Sequence, residues 1–141
     1  MQNLIARGIY ETKISAIKCV KELDAGPVYL KRSLALHGNA EEIYMRGSRV
    51  IETMIYDIVM NQPRPCEQEG QVVEFARRKP EESNLASLTE LRQVYDYIRM
   101  LDADGYPKAF LETEHLVFEF ARAALKSDEI IADVKIRRKK G

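Results

Sequence analysis

Two apolar runs, Thr12 to Val20 and Val28 to Leu36, are separated by the sharp break Leu23-Asp24-Ala25-Gly26-Pro27. Asp, Gly and Pro gather at turns for backbone reasons: glycine reaches positive φ, proline pre-sets φ, and aspartate bonds its own backbone. The two runs therefore read as an antiparallel pair joined by a loop around Lys21 to Pro27. In the first run Ile14, Ala16 and Val20 fall on one face and Ile17 and Cys19 on the other. A strand apolar on both faces belongs in a sheet covered on both sides. The second run alternates Val28, Leu30, Leu34 and Leu36 with Tyr29, Lys31 and Ser33, a more one-sided strand nearer an edge. Asp24 then has two meanings: a catalytic acid held at the mouth of a hairpin, or an ordinary turn aspartate.

After His37-Gly38 a helix start follows, because Asn39 is a good N-cap and Glu42 can reach back to its N–H. Ile43, Gly47, Val50, Met54 and Ile58 recur every three or four residues, which predicts an amphipathic helix to about Asn61. Gly47 in its middle costs roughly 1 kcal/mol against alanine and suggests close packing on the sheet. Gln62-Pro63-Arg64-Pro65 ends the helix and marks a boundary, giving segments 1–62 and 63–141. Beyond it the pattern predicts a strand over Gln71 to Arg77, and a helix opened by a Ser87-Leu88-Thr89-Glu90 capping box. Leu91, Val94, Tyr95, Ile98 and Leu101 stripe that helix. Strands then follow over Ala109 to Glu112, Leu116 to Ala123 and Ile130 to Ile136, with a turn at Ser127-Asp128. Residues 1–8 read as the end of a short helix with Gly8 at its C′ position. The class is mixed α/β.

Composition excludes several functions. Lys+Arg and Asp+Glu both number 22, so no overall field attracts nucleic acid or anionic lipid. The basic run Arg137-Arg138-Lys139-Lys140 reads as a solvated tail. No apolar run reaches the roughly 18 to 20 residues of a membrane span, and residues 1–8 lack the apolar core of a signal peptide. Cys19 and Cys66 have no CxxC spacing, so the expectation is free thiols in a reducing cytoplasm.

Candidate chemistry is sparse. His37 and His115 both sit at turns with no Cys or His at ligand spacing, so no metal site is expected. Arg77-Arg78-Lys79 could clamp a phosphate of a substrate. The same three cations could instead be a strand end balanced by Glu81 and Glu82. There is no glycine-rich phosphate loop, nucleophile elbow or zinc helix.

Taken together, several stretches resemble the folate-dependent formyltransferases. Glu11-Thr12-Lys13-Ile14-Ser15-Ala16-Ile17 and Glu22-Leu23-Asp24-Ala25-Gly26-Pro27-Val28 are similar to that family's strand, aspartate loop and strand. Phe75-Ala76-Arg77-Arg78-Lys79-Pro80, Tyr97-Ile98-Arg99 and Gly105-Tyr106-Pro107-Lys108-Ala109-Phe110 narrow the resemblance to the methionyl-tRNA formyltransferase-like group, which includes sugar N-formyltransferases. The match runs along nearly the whole chain in order. It implies the C-terminal portion of a Rossmann-like domain (strand, loop, strand, helix), followed by a linker helix and a small antiparallel β appendage.

The resemblance also implies a chemistry. Asp24 matches the family's catalytic aspartate, and the backbone of Lys21, Glu22, Leu23 and Asp24 would line the ring of the donor, 10-formyltetrahydrofolate. The amine of methionyl-tRNA or of a nucleotide-linked sugar would attack the formyl carbon, with Arg77, Arg78 and Lys79 on the acceptor side. The modest basic charge of residues 63–141 tilts slightly toward a small acceptor. The family's Asn-x-His pair and its Ser-Leu-Leu-Pro stretch do not occur in this sequence. The expectation is therefore a partner segment carrying the N-terminal half of the catalytic domain, little activity from this chain alone, and self-association into a homo-oligomer through an uncovered strand. A non-catalytic binding or assembly module that keeps the fold is the alternative.

Overall fold

The computed structural model describes residues 1–139. A short helix α1 (Gln2–Ala6) leads into strands β1 (Glu11–Ile17) and β2 (Val28–Ala35) and the long helix α2 (Ala40–Asn61). A 3-10 turn at Pro80–Ser83 precedes α3 (Leu91–Arg99), and β3 (Ala109–Glu112), β4 (Leu116–Leu125) and β5 (Ile130–Arg138) complete the described chain. The strands form two antiparallel sheets, β1-β2 and β3-β4-β5.

β1 and β2 pair as the hairpin pattern predicts, from Glu11↔Ala35 to Ala16↔Leu30, with a bulge before Ile17↔Val28. β1 is shorter than expected. It ends at Ile17, and Lys18, Cys19 and Val20 are exposed in the loop. Burial along β1 alternates, with Thr12, Ile14 and Ala16 half-buried between exposed Glu11, Lys13 and Ser15, so one face rather than two is covered.

α2 forms with the expected cap. Asn39 Oδ1 accepts the Glu42 N–H and Glu42 Oε2 accepts the Asn39 N–H, both at 2.9 Å. Such a cap contributes about 1 kcal/mol by satisfying donors that have no intrahelical partner. Ala40, Ile43, Gly47 and Met54 are the buried row, packed over the hairpin. At Gly47 an added Cβ would lie 3.8 Å from Ile14 Cδ1 and 4.0 Å from Leu34 Cδ2, ordinary contact distances. The packing therefore does not require glycine there. Next to this row Tyr44, Ile51, Ile55 and Val59 are exposed.

Two local expectations give way. Residues 71–77 form no strand. They run as an exposed strap, with Val72 89% accessible, because no neighbouring strand offers a ladder. The Ser87 capping box does not form either. Glu90 is the N-cap of α3, without a side-chain cap bond. Instead Leu88 N–H closes a turn onto Leu85 O at 3.0 Å, and half-buried Leu88 packs on the core.

The core gathers Ile5, Leu36, Ile43, Leu85, Ile98, Met100, Leu101 and Ala109. It draws on both sides of the Gln62-Pro65 break. Burying a side chain of this size stabilises by about 1.5–3 kcal/mol.

Candidate functional site

The hairpin loop is closed by its neck. Lys18 N–H donates to Pro27 O at 2.8 Å, and buried Gly26 presses so tightly on the Lys18 carbonyl that a Cβ would sit 1.7 Å from its oxygen. Glycine is obligatory at that position. Two residues earlier Asp24 adopts φ +56°, the left-handed region that aspartate tolerates better than most residues. Lys21, Glu22, Leu23, Asp24 and Ala25 are all exposed, with Leu23 92% accessible.

Leu23, Asp24 and Ala25 form one wall of a groove of about 880 Å³, and residues 68–75 of the strap form the other. Backbone N–H and C=O groups of residues 21–23 engage no other backbone group among the described residues. Apolar Leu23, Val72, Val73 and Phe75 and the three carboxylates of Asp24, Glu69 and Glu74 line the groove, a mixed lining that suits a flat polar heterocycle. His37 and His115 are exposed, and His37 stacks on Tyr10 with ring centroids 5.8 Å apart. Among the described residues no cluster of His, Cys, Asp or Glu could hold a metal ion.

The three cations lie in a different cavity. Arg77, Arg78 and Lys79 line about 370 Å³ with Gln2, Ser83 and Tyr106 among its other walls. Arg78 is half-buried, donates from Nη2 to Glu82 O at 2.6 Å and lies over the Tyr97 ring at 5.0 Å, while its buried Nε has no partner among the described residues. Phe75, under the Arg7 guanidinium at 4.8 Å, ends the groove two residues before Arg77. The strap thus leads from the groove to the basic cavity without merging them. Asn3 anchors it between the two by donating to Ala76 O at 2.9 Å.

A buried ion pair ties α3 to Tyr10 and to the end of β2. Arg99 Nε donates to Asp96 Oδ1 at 2.6 Å, Tyr10 Oη donates to Asp96 Oδ2 at 2.7 Å, and Arg99 Nη1 donates to Leu36 O and Gly38 O. Burial, followed by the bond to Asp96, holds the Tyr10 phenol above its ordinary pKa. Beside the basic cavity the Tyr44 and Tyr106 hydroxyls meet at 2.5 Å. Burial and that bond push Tyr44 up to about 12. Among the described residues no helix is long and apolar enough to cross a membrane.

Residues 80–137 match the family model of the methionyl-tRNA formyltransferase C-terminal domain. Methionyl-tRNA formyltransferase from Clostridium thermocellum superposes with a TM-score of 0.93 at 49% identity, over 98% of this chain and 61% of that one. The chain belongs to the formyltransferase family and matches the C-terminal part of such proteins. It spans 61% of the length of that relative. HypX from Aquifex aeolicus shares the fold at 13% identity, with a TM-score of 0.69 over 91% of this chain and 24% of its own. A second HypX structure, in complex with tetrahydrofolic acid, matches with a TM-score of 0.68 over 90% of this chain and 23% of its own. Among curated proteins no sequence matches the chain.

The sequence singled out Asp24 and the loop before it; Leu23 and Asp24 line the groove, and Lys21 and Glu22 lie outside its lining. Gln68, whose side chain bonds the loop, carried no signal in the sequence: it lies in a polar stretch whose composition marks only a linker. Asp96 was also missed, and Arg99 entered only as part of the Tyr97-Ile98-Arg99 stretch, without its role in an ion pair. An i,i+3 charge pair on a helix reads as a solvated face, and the tyrosine that completes it is distant in sequence.

Proposed function

We propose that this chain takes part in moving a formyl group from 10-formyltetrahydrofolate to the amine of methionyl-tRNA, with Asp24 as the proton-relay carboxylate. The observation that carries the reading is the 49% identity over 98% of the chain to a methionyl-tRNA formyltransferase; in this chain the Asp24 loop lines an open groove. A nucleotide-linked amino sugar is the second acceptor class.

The amine nitrogen attacks the formyl carbon, forming a C–N bond and placing negative charge on the formyl oxygen. Asp24 takes the proton that the amine loses and helps deliver it to N10 of the folate as the carbon–N10 bond breaks. The products are the formylated amine and tetrahydrofolate. The loop backbone of Lys21, Glu22, Leu23 and Asp24 would offer donors and acceptors to the folate ring, and Arg77, Arg78 and Lys79 would hold the acceptor through its phosphates. Stabilising the oxyanion needs donors aimed at that oxygen. The Asn and His that supply them in the family have no Asn-x-His counterpart in this sequence, so a segment carrying that pair is the partner required for turnover. In this reading residues 1–62 serve the donor and residues 63–141 the acceptor, in a reducing cytoplasm where exposed Cys19 and Cys66 stay free.

The test is a formyl-transfer assay with 10-formyltetrahydrofolate and methionyl-tRNA. The chain is assayed alone and together with a segment supplying the Asn-x-His pair. The chain alone should give negligible turnover. In the combined system Asp24→Asn should lower the rate by about two orders of magnitude or more, the usual size of a lost proton-transfer group. Undiminished turnover by D24N would refute the assignment. No turnover in any combination would favour a non-catalytic assembly module.

A further inference from the structure

We propose that Gln68 is a positioning residue for Asp24, a latch that fixes the aspartate loop from the segment that follows α2. This rests on the reading of Asp24 given above.

The chain returns from α2 alongside β2. Val28 N–H donates to Cys66 O at 2.7 Å and Cys66 N–H to Val28 O at 2.9 Å, an isolated antiparallel bridge. In an antiparallel ladder the partner index falls by two as the chain advances by two, so this register sets Gln68 opposite Gly26. No backbone bond forms there. The side chain takes over the rung: Gln68 Nε2 donates to Gly26 O at 2.8 Å and also to Asp24 O at 2.7 Å. One amide nitrogen has two hydrogens, so both carbonyls are satisfied by a single group.

These two carbonyls flank the left-handed residue's exit from the turn. Gly26 is pinned from within by the Lys18 carbonyl, and Gln68 pins the outer side. A non-glycine residue at positive φ persists only when its surroundings over-determine it. Apart from the neck bond between Lys18 and Pro27, the Gln68 amide supplies the hydrogen bonds that hold this loop among the described residues. The linker after α2 therefore sets the conformation of the carboxylate, and Gln68 also lines the groove that the carboxylate faces. An aspartate that must pass a proton between two nitrogens gains from such preorganisation, since small misplacements slow transfer strongly.

Backbone relaxation by nuclear magnetic resonance on the full chain tests the latch, comparing wild type with Gln68→Leu and Gln68→Lys. In wild type, residues 22–25 should be ordered, with order parameters near about 0.85. In Q68L they should fall below about 0.6, with Asp24 losing its left-handed chemical-shift signature, while β3, β4 and β5 stay unchanged. Q68K keeps a donor that can serve both carbonyls and should restore order. An unchanged loop in Q68L overturns the proposal. So does disorder in Q68L that Q68K fails to reverse, since packing rather than donation would then hold the loop. Failure of the Asp24 reading is separate: it shows as full turnover by D24N and leaves the loop measurements intact.

Discussion

Asp102 Oδ2 accepts the backbone N–H of Arg122 at 2.8 Å, at a bulge in β4 where Arg122 has φ +49°. The other oxygen of the same carboxylate accepts from Lys108 Nζ at 2.9 Å, and the Asp102 carbonyl accepts the Glu41 N–H of α2 at 3.4 Å. One residue thus ties the end of α3 to the middle of the second sheet and to the start of α2. Asp102→Ala leaves a bulge N–H without its acceptor and should cost about 1–3 kcal/mol. Asp102→Asn retains an oxygen for Arg122 and should cost less. Urea unfolding of the two variants checks the order.

The Asp96–Arg99 pair is nearly inaccessible, with side chains 5% and 3% exposed. Removing one member strands the other. Arg99→Met also leaves the carbonyls of Leu36 and Gly38 without their donor, and should cost about 3–5 kcal/mol. A loss below about 1 kcal/mol in denaturant titration would show that the charge is not buried as described.

Two glycines should respond oppositely. Gly47→Ala has room for its methyl and removes helix-interior flexibility, so stability should rise by about 0.5–1 kcal/mol. Gly26→Ala would drive a carbon into the Lys18 carbonyl and should disorder the loop neck. Thermal melts together with loop relaxation data separate the two effects.

Alkaline pH should weaken the contact between α2 and the Gly105-Tyr106-Pro107 loop. Burial and the Tyr106 hydroxyl push Tyr44 up to about 12 from 10.0. The folded state then holds this proton more tightly than the unfolded chain. Its contribution is complete below about pH 10 and is lost as pH rises from 10 toward 12. Stability measured across that range should fall less steeply in Tyr44→Phe than in wild type. Equal slopes would mean the pair contributes nothing.

The exposed row Tyr44, Ile51, Ile55 and Val59, together with the unpaired edge of β1, should make the chain self-associate with increasing concentration. Sedimentation velocity should show larger species that Ile55→Glu suppresses. A monomer at every concentration would refute this.

Where one residue type could serve only one purpose, the sequence was readable. Asn39 with Glu42 announced α2, the Asp-Ala-Gly-Pro break announced the hairpin, and β3 matched its expected bounds residue for residue. It misled where a pattern lacked its partner. Val72 and Val73 look like strand residues, but a strand needs a neighbour, and the strap has none. Ser87 is a good cap in isolation, yet Leu88 has more to gain against the core than Ser87 at a helix start. At the candidate groove, the turn chemistry of Asp24 allowed a structural reading equally, and the order of motifs around it made it a candidate. Gln68 was not one, since its role depends on a register set by the Val28–Cys66 bridge, which no local pattern encodes.

The core that Ile5, Leu36 and Ile43 share with Leu85, Ile98, Met100, Leu101 and Ala109 has a consequence for how such chains diversify. Residues beyond the Pro63-Pro65 break are not a bead that can be exchanged for another. A chimera joined at that break must bring a helix and strand that refill the space over Leu36 and Ile43, or leave them bare. Recombination between relatives should therefore succeed in surface loops such as 126–129 and fail at the proline boundary, although the sequence there looks like the natural place to cut.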